Sequence, residues 1–191
     1  MKSLKGTETE KNLLKSFAGE SQARMRYDYF AKQAKKDGYE KVRVIFEETA
    51  RQEKEHAKRM FKFLEGGMLE ITAEYPAGKI GSTLENLEAA ADGESEEHSE
   101  LYPGFADVAE KEGFKDVALM YRNIAVAEKH HEERYRNLYK LIEDGKMFES
   151  DDVVVWRCLN CGFLHVAKSA PKECPACVHP QAWFEENNKN W

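Results

Sequence analysis

A chain of 191 residues, 41% hydrophobic and 34% charged, has room for one large domain or a medium domain with a small companion. Its formal net charge of −6, with no basic stripe, argues against a nucleic-acid-binding role. No apolar run approaches the roughly 20 residues needed to cross a bilayer, and Met1–Gly6 has no apolar export segment, so no membrane association and a cytoplasmic location are expected.

Residues 7–36 carry the marks of a helix. Thr7-x-x-Glu10 is a capping box, which satisfies backbone donors at a helix start. Leu13, Phe17, Glu20, Ala23, Tyr27, Ala31 and Ala34 then recur at helical spacing until Asp37-Gly38. A second helix is expected over 39–65, with Val42, Ile45, Phe46, Thr49, Glu53, His56, Met60 and Phe63 on one stripe. Residues 67–81 contain Pro76, Gly78 and Gly81 without periodicity, and read as a long crossover to the far end of a bundle. Ser82-x-x-Glu85 is a second capping box. It opens a helix whose inner side is expected to carry Leu84, Leu87, Ala91, Glu94, Glu97, Leu101, Phe105 and Val108, with a kink or break at Pro103-Gly104. After Gly113 a last helix places Val117, Tyr121, Ile124, Glu128, His131, Tyr135, Leu138 and Ile142 inward, ending at Gly145.

Past the linker the character changes. Val153–Trp156, Phe163–Val166 and Trp183-Phe184 read as short strands. All four cysteines lie here, as Cys158-x-x-Cys161 and Cys174-x-x-Cys177 with twelve residues between. Without an export signal, that spacing points to a tetrahedral four-thiolate metal site rather than disulfides. Zinc and iron both fit such a site, and attachment to a redox-capable bundle favours iron.

The bundle holds an internal repeat. Glu20 precedes Glu53 by 33 residues, and Glu94 precedes Glu128 by 34. Glu53-x-x-His56 and Glu128-x-x-His131 each set a carboxylate and an imidazole on one helix face, about 5–6 Å apart. Two such helix pairs give the inward-facing donor set of di-iron and di-manganese carboxylate bundles. Glu20, Glu53, Glu94 and Glu128 lie in phase with apolar residues, where an unpaired carboxylate costs several kcal/mol or takes up a proton. Arg24 and Arg51 are too few inner cations to neutralise them. Glu47, Glu48, Glu55, Glu96, Glu100, Glu132, Glu133 and His130 fall on solvated faces, and His98 is placed beside the site or at the surface. Tyr27 and Tyr102 follow Glu20 and Glu94 by about two turns, so ligating carboxylates are the nearest partners for their hydroxyls. The repeat breaks at Glu97, whose counterpart is Ala23, leaving a surplus carboxylate. Oxygen-rich ligation with two imidazoles suits iron or manganese.

The pattern Glu20…Glu53-x-x-His56…Glu94-x-x-Glu97…Glu128-x-x-His131, followed by the four-cysteine tail, resembles the rubrerythrin family over essentially the whole chain. The resemblance implies an all-α, ferritin-like four-helix bundle with a long crossover over residues 1–146, a linker at 147–152 and a small β-rich rubredoxin-like domain over 153–191. It implies two non-haem irons in a diiron-oxo site held by Glu20, Glu53, His56, Glu94, Glu97, Glu128 and His131. A third iron would sit on Cys158, Cys161, Cys174 and Cys177. The implied activity is reduction of hydrogen peroxide to water, with the tail iron relaying electrons from an NAD(P)H-dependent reductase or a rubredoxin. Catalytic roles would fall to Glu97, His56, Tyr27 and Tyr102, one iron shifting between Glu97 and His56 with its oxidation state. The tail departs from free-standing rubredoxins in its short inter-knuckle loop and in Val178, where glycine often follows the second knuckle. His131 to Gly145 spans fourteen helical residues, about 21 Å, which sets the tail metal far from its own bundle site and favours a head-to-tail homodimer. A ferritin-like iron oxidase and a non-enzymatic electron carrier are the alternative readings.

Overall fold

The computed structural model describes residues 2–187; Met1 and the last four residues of the expected tail domain lie outside them. Five helices come first: α1 (Glu8–Lys36), α2 (Glu40–Phe61), α3 (Thr83–Glu96), α4 (Tyr102–Lys111) and α5 (Lys115–Glu143). Three strands follow, β1 (Glu149–Cys158), β2 (Leu164–Ser169) and β3 (Phe184–Glu186), in an antiparallel sheet of order β2-β1-β3. Among the described residues no helix is long and apolar enough to cross a membrane.

α1 packs on α2, and α3 with α4 on α5, giving four bundle columns. Carboxylates tie the two ends. Asp37, just past α1, accepts from the Thr83 backbone N–H and hydroxyl at 2.9 and 2.7 Å, which fixes the start of α3 at that end. Glu112, past α4, accepts from Thr9 N–H and Oγ1 at 2.9 and 2.6 Å at the opposite end. The segment after α2 therefore has to travel the length of the bundle to reach α3, as the crossover reading requires. Ser82 and Glu85 complete their capping box. Gly81 is obligatory beside it, since a Cβ there would meet Glu85 Oε2 at 2.7 Å.

Chain geometry departs from expectation at one point that matters. Between α3 and α4 the residues Glu97–Leu101 form a π-helical turn, in which Tyr102 N–H bonds to Glu97 O five residues back. The extra residue rotates everything after it by one position. Leu101, Phe105 and Val108 were the expected inner positions; the buried ones are Tyr102, Ala106 and Ala109. Pro103 causes no break, because it falls in the first turn of α4, where a missing N–H costs little.

The core is split into two apolar clusters. One gathers Tyr27, Phe30, Val42, Phe46, Leu87, Tyr135 and Leu138. The other gathers Leu13, Met60, Tyr102, Val117, Tyr121 and Ile124. Glu20, Glu53, Glu94, Glu128 and His131 are buried along the same helices but belong to neither cluster. The segment read as a linker is anchored: Met147 is buried in the first cluster, and Phe148 stacks on Tyr39 at 6.2 Å. β1 starts at Glu149, ahead of the expected Val153, and the tail has its own small core of Trp156, Ala170 and Phe184 around two cysteines.

Asp37→Ala and Glu112→Ala should each destabilise the protein by about 1 kcal/mol through loss of a helix-end acceptor. Because they act at opposite ends, the double variant should be additive within about 0.5 kcal/mol in urea unfolding. Strong coupling between them would contradict the two-ended anchoring.

Candidate metal centres

In the bundle, four helices deliver six donors to one slab. Glu53 of α2 turns Oε2 toward His56 Nδ1 at 2.9 Å and Oε1 toward His131 Nδ1 at 3.1 Å. Glu128 of α5 does the same, with Oε1 2.9 Å from His56 Nδ1 and Oε2 2.8 Å from His131 Nδ1. Each of these two carboxylates thus spans both imidazoles. Glu20 of α1 lies on the His56 side, 3.9 Å from its Nδ1, and Glu94 of α3 on the His131 side at 3.5 Å. Two overlapping clusters result, Glu20–Glu53–His56–Glu128 and Glu53–Glu94–Glu128–His131, each compact enough for one metal ion.

The donors fit a metal pair on a structural test. Glu20 Oε2, Glu53 Oε1, Glu94 Oε2, both Glu128 carboxylate oxygens and His131 Nδ1 are buried without an aligned hydrogen bond, although the imidazole nitrogens stand 2.8–3.5 Å from the Glu53, Glu94 and Glu128 oxygens. Buried oxygens left bare in this way are costly unless a cation meets them. Burial pushes the Glu20 carboxyl well above its usual range, and the charges of Glu53 and Glu128 add to the push. Glu94 rises to about 8 for the same reasons, burial first and Glu53 next. Burial opposes an imidazolium, yet hydrogen bonding to Glu128 and Glu53 overrides it, lifting His56 to about 10 and His131 to about 12. Without metal, protons take the place of the cations the donor set calls for.

Neighbouring side chains fix the donors. Tyr27 on α1 donates to Glu94 Oε1 at 2.5 Å, and Tyr102 on α4 donates to Glu20 Oε1 at 2.6 Å. The pairing is crossed: each tyrosine serves the glutamate of the opposite half. Gln52 Oε1 lies 3.0 Å from His131 Nε2, which puts the ring proton there and leaves Nδ1 facing the carboxylates. Gln52 in turn donates to Glu48, which Arg134 holds at 3.0 Å. Sequence patterning missed this chain, because Glu48 and Gln52 sit off the apolar stripe.

Glu97 was expected among the ligands, and it stands outside both clusters. It lies in the π turn, partly open to a cavity, with burial and the charges of Glu94, Glu128 and Glu53 raising its carboxyl well above the usual range. His98 also lies off the site, its Nε2 2.7 Å from Glu132, so Glu132 is not a purely solvated residue. Of the expected inner cations, Arg51 is exposed and Arg24 half-buried. Arg26 is the cation whose charge reaches Glu97.

In the tail, Cys158, Cys161, Cys174 and Cys177 converge as free thiols. The Cys158–Cys177 and Cys161–Cys174 sulfur pairs are each 3.7 Å apart. That is far beyond a disulfide of about 2.05 Å, and it matches the edge of a tetrahedron with metal–sulfur bonds of about 2.3 Å. The knuckles turn through Gly162 at φ 76° and Val178 at φ 57°, both left-handed. Glycine accepts that conformation freely, and a β-branched valine does not.

The fold and sites together define a ferritin-like carboxylate bundle joined to a rubredoxin-like four-cysteine unit. Comparison with known proteins agrees at both levels. The Rubrerythrin family profile matches residues 11–139, and that of the rubrerythrin rubredoxin-like domain matches 156–185. A rubrerythrin of Porphyromonas gingivalis is 60% identical over 190 residues, covering 100% of this chain and 95% of the relative. One of Nitratidesulfovibrio vulgaris is 54% identical over 191 residues, covering 100% of both. Among solved structures, fully reduced, all-ferrous nigerythrin matches with a TM-score of 0.63 at 30% identity, covering 97% of this chain and 92% of that one. Symerythrin from Cyanophora paradoxa shares the fold, with a TM-score of 0.63 at 21% identity over 75% and 89% of the two chains. The chain belongs to the rubrerythrin family, whose members are oxidoreductases, and its cofactors are a diiron pair and one four-thiolate iron.

Two measurements follow from these centres. In metal-free protein His56 and His131 hold more protons folded than unfolded, so their stabilisation is complete below 6.5 and is lost as pH climbs, through about 10 for His56 and about 12 for His131. Glu94, raised from 4.5 to about 8, acts in the same direction. The Tm of stripped protein should therefore fall from pH 6.5 to about 10, while that of iron-loaded protein stays nearly level. A metal-free Tm that rises over this range contradicts the assignment. Separately, Val178→Gly should relieve the left-handed valine and stabilise the tail by about 1 kcal/mol. Thermal bleaching of the thiolate-to-iron absorption, shifted upward, would show it.

Proposed function

We propose that this protein is a non-haem diiron peroxidase that reduces hydrogen peroxide to water, with the rubredoxin-type iron passing electrons to the pair. The observation that carries the reading is Glu97, a fifth carboxylate held beside the four-glutamate slab but outside both metal clusters. A bundle that only stored charge or assembled subunits has no use for a surplus carboxylate set between the slab and a cavity.

In this reading Glu20, Glu53, His56, Glu94, Glu128 and His131 would hold the two irons, Glu53 and Glu128 being the carboxylates common to both clusters. When bound, the reduced pair supplies the two electrons that split the peroxide O–O bond. Glu97 and His56 are alternative ligands. Replacing a neutral imidazole by a carboxylate adds one negative charge, which suits the more positive oxidised pair. The π turn that begins at Glu97 supports this role, since such irregular turns inside helices recur at functional sites. Tyr27 and Tyr102 hold Glu94 and Glu20 through their hydroxyls, keeping those carboxylates oriented while Glu97 and His56 exchange. Cys158, Cys161, Cys174 and Cys177 hold the relay iron.

Placement of the tail favours a head-to-tail homodimer. It rests on the α1–α2 end, where Lys41 faces Glu185 at 3.9 Å. Glu53 lies thirteen helical residues beyond Glu40, about 20 Å along the axis, too far for fast transfer within one chain. The electron donor in this proposal is an NAD(P)H-dependent reductase or a rubredoxin, and four cysteines grouped for a metal rather than paired in disulfides suit a reducing, cytoplasmic setting.

Stopped-flow mixing of the reduced protein with peroxide and with dioxygen tests the reading. Peroxide should oxidise it faster, and Glu97→Ala should slow the peroxide reaction by about 10–100-fold. Faster oxidation by dioxygen, unaffected by Glu97→Ala, would favour an iron oxidase instead.

A further inference from the structure

A cavity of about 360 Å³ opens beneath the crossover, between α1 and the π turn. Glu97, Tyr27 and Tyr102 form its inner wall, Leu101 and Phe105 one side, and Tyr75 and Pro76 the roof. The roof is pinned where Tyr75 Oη donates to Lys15 O at 2.8 Å. The one-residue rotation at the π turn brings Leu101 to this chamber, and Phe105 stands between the chamber and the second apolar cluster, edge-on to Tyr121 at 5.7 Å. Hydrogen peroxide is little larger than water and carries only polar atoms, so it needs neither this space nor these rings. A volume in the about 300–1,000 Å³ range, with aromatic walls and a few polar groups that include Glu97, Arg26, Gln22 and Ser16, describes a site for a small organic ligand.

We infer that this chamber binds organic hydroperoxides, the apolar tail lying among Tyr75, Leu101 and Phe105 and the peroxide group facing Glu97. The inference rests on the peroxidase reading and extends it to a second substrate class. The reaction is ROOH + 2 e⁻ + 2 H⁺ → ROH + H₂O: the O–O bond breaks, the two electrons come from the diferrous pair, and the two oxygens leave as alcohol and water. Rotation of residues after Glu97 thus sets Leu101 in the vestibule against a carboxylate that stands beside the slab and outside the clusters.

Two readouts test it on the full, iron-loaded chain. Calorimetric titration of 2-phenyl-2-propanol, the alcohol formed from cumene hydroperoxide, into oxidised protein measures occupancy without turnover. The ratio of kcat/KM for cumene hydroperoxide to that for hydrogen peroxide measures use. Ala73→Trp, on the irregular crossover where no helix is disturbed, and Phe105→Trp, from the helix side, both fill the chamber. Each should weaken alcohol binding and lower the ratio at least about tenfold. Absence of alcohol binding to the unmodified protein, or binding and a ratio that neither variant changes, overturns the chamber and leaves the peroxidase reading standing. If neither hydroperoxide oxidises the reduced protein, the peroxidase reading falls and the organic activity with it.

Discussion

Everything in the bundle follows from burying four carboxylates and two imidazoles in a helical core. An uncompensated buried charge costs several kcal/mol, and a domain has only about 5–15 kcal/mol of net stability to lose. Ionised and unpaired, Glu20, Glu53, Glu94 and Glu128 would exceed that margin. Cations must therefore meet them, and protons on His56, His131 and Glu94 are the stand-ins when metal is absent. Two apolar clusters, centred on Phe46 and Tyr135 at one end and Met60 and Tyr121 at the other, supply the rigidity that keeps the slab from collapsing or hydrating.

The two halves are near copies, and the function lies where the copying fails. Glu53 and Glu128 span the pair symmetrically. Glu20 with Tyr102 and Glu94 with Tyr27 extend the symmetry across the halves. The π turn has no counterpart in α1. It turns Leu101 outward and brings Tyr102 inward to Glu20. One inserted residue thus opens space beside Glu97, which lies outside the two clusters.

Much of this was legible in the amino-acid order, because strong physical signals coincided. Acidic residues in phase with Leu, Phe and Ala, doubled at matching intervals, indicated the dinuclear slab. Paired Cys-x-x-Cys knuckles indicated the thiolate site, and Ser82 with Glu85 marked the far-end start of α3. Periodicity failed from Leu101 to Val108, since it assumes an unbroken helix. The inserted residue did leave a trace: Glu20 precedes Tyr27 by seven residues, and Glu94 precedes Tyr102 by eight. Arg26 and Gln52 were missed for another reason. They act sideways on Glu97 and His131 from positions that helical phase assigns to the boundary. Anchoring of Met147 and Phe148 was hidden because a six-residue polar stretch reads as linker whatever its two apolar residues touch.

The central claim is that Glu53 and Glu128 bridge two irons while the tail holds a third. Mössbauer spectroscopy of protein fully reconstituted with iron-57 tests it most directly. The account predicts three irons per chain in two environments, two parts oxygen- and nitrogen-ligated and magnetically coupled to one part four-thiolate. A single oxygen-ligated iron per chain, or two without coupling, would contradict it.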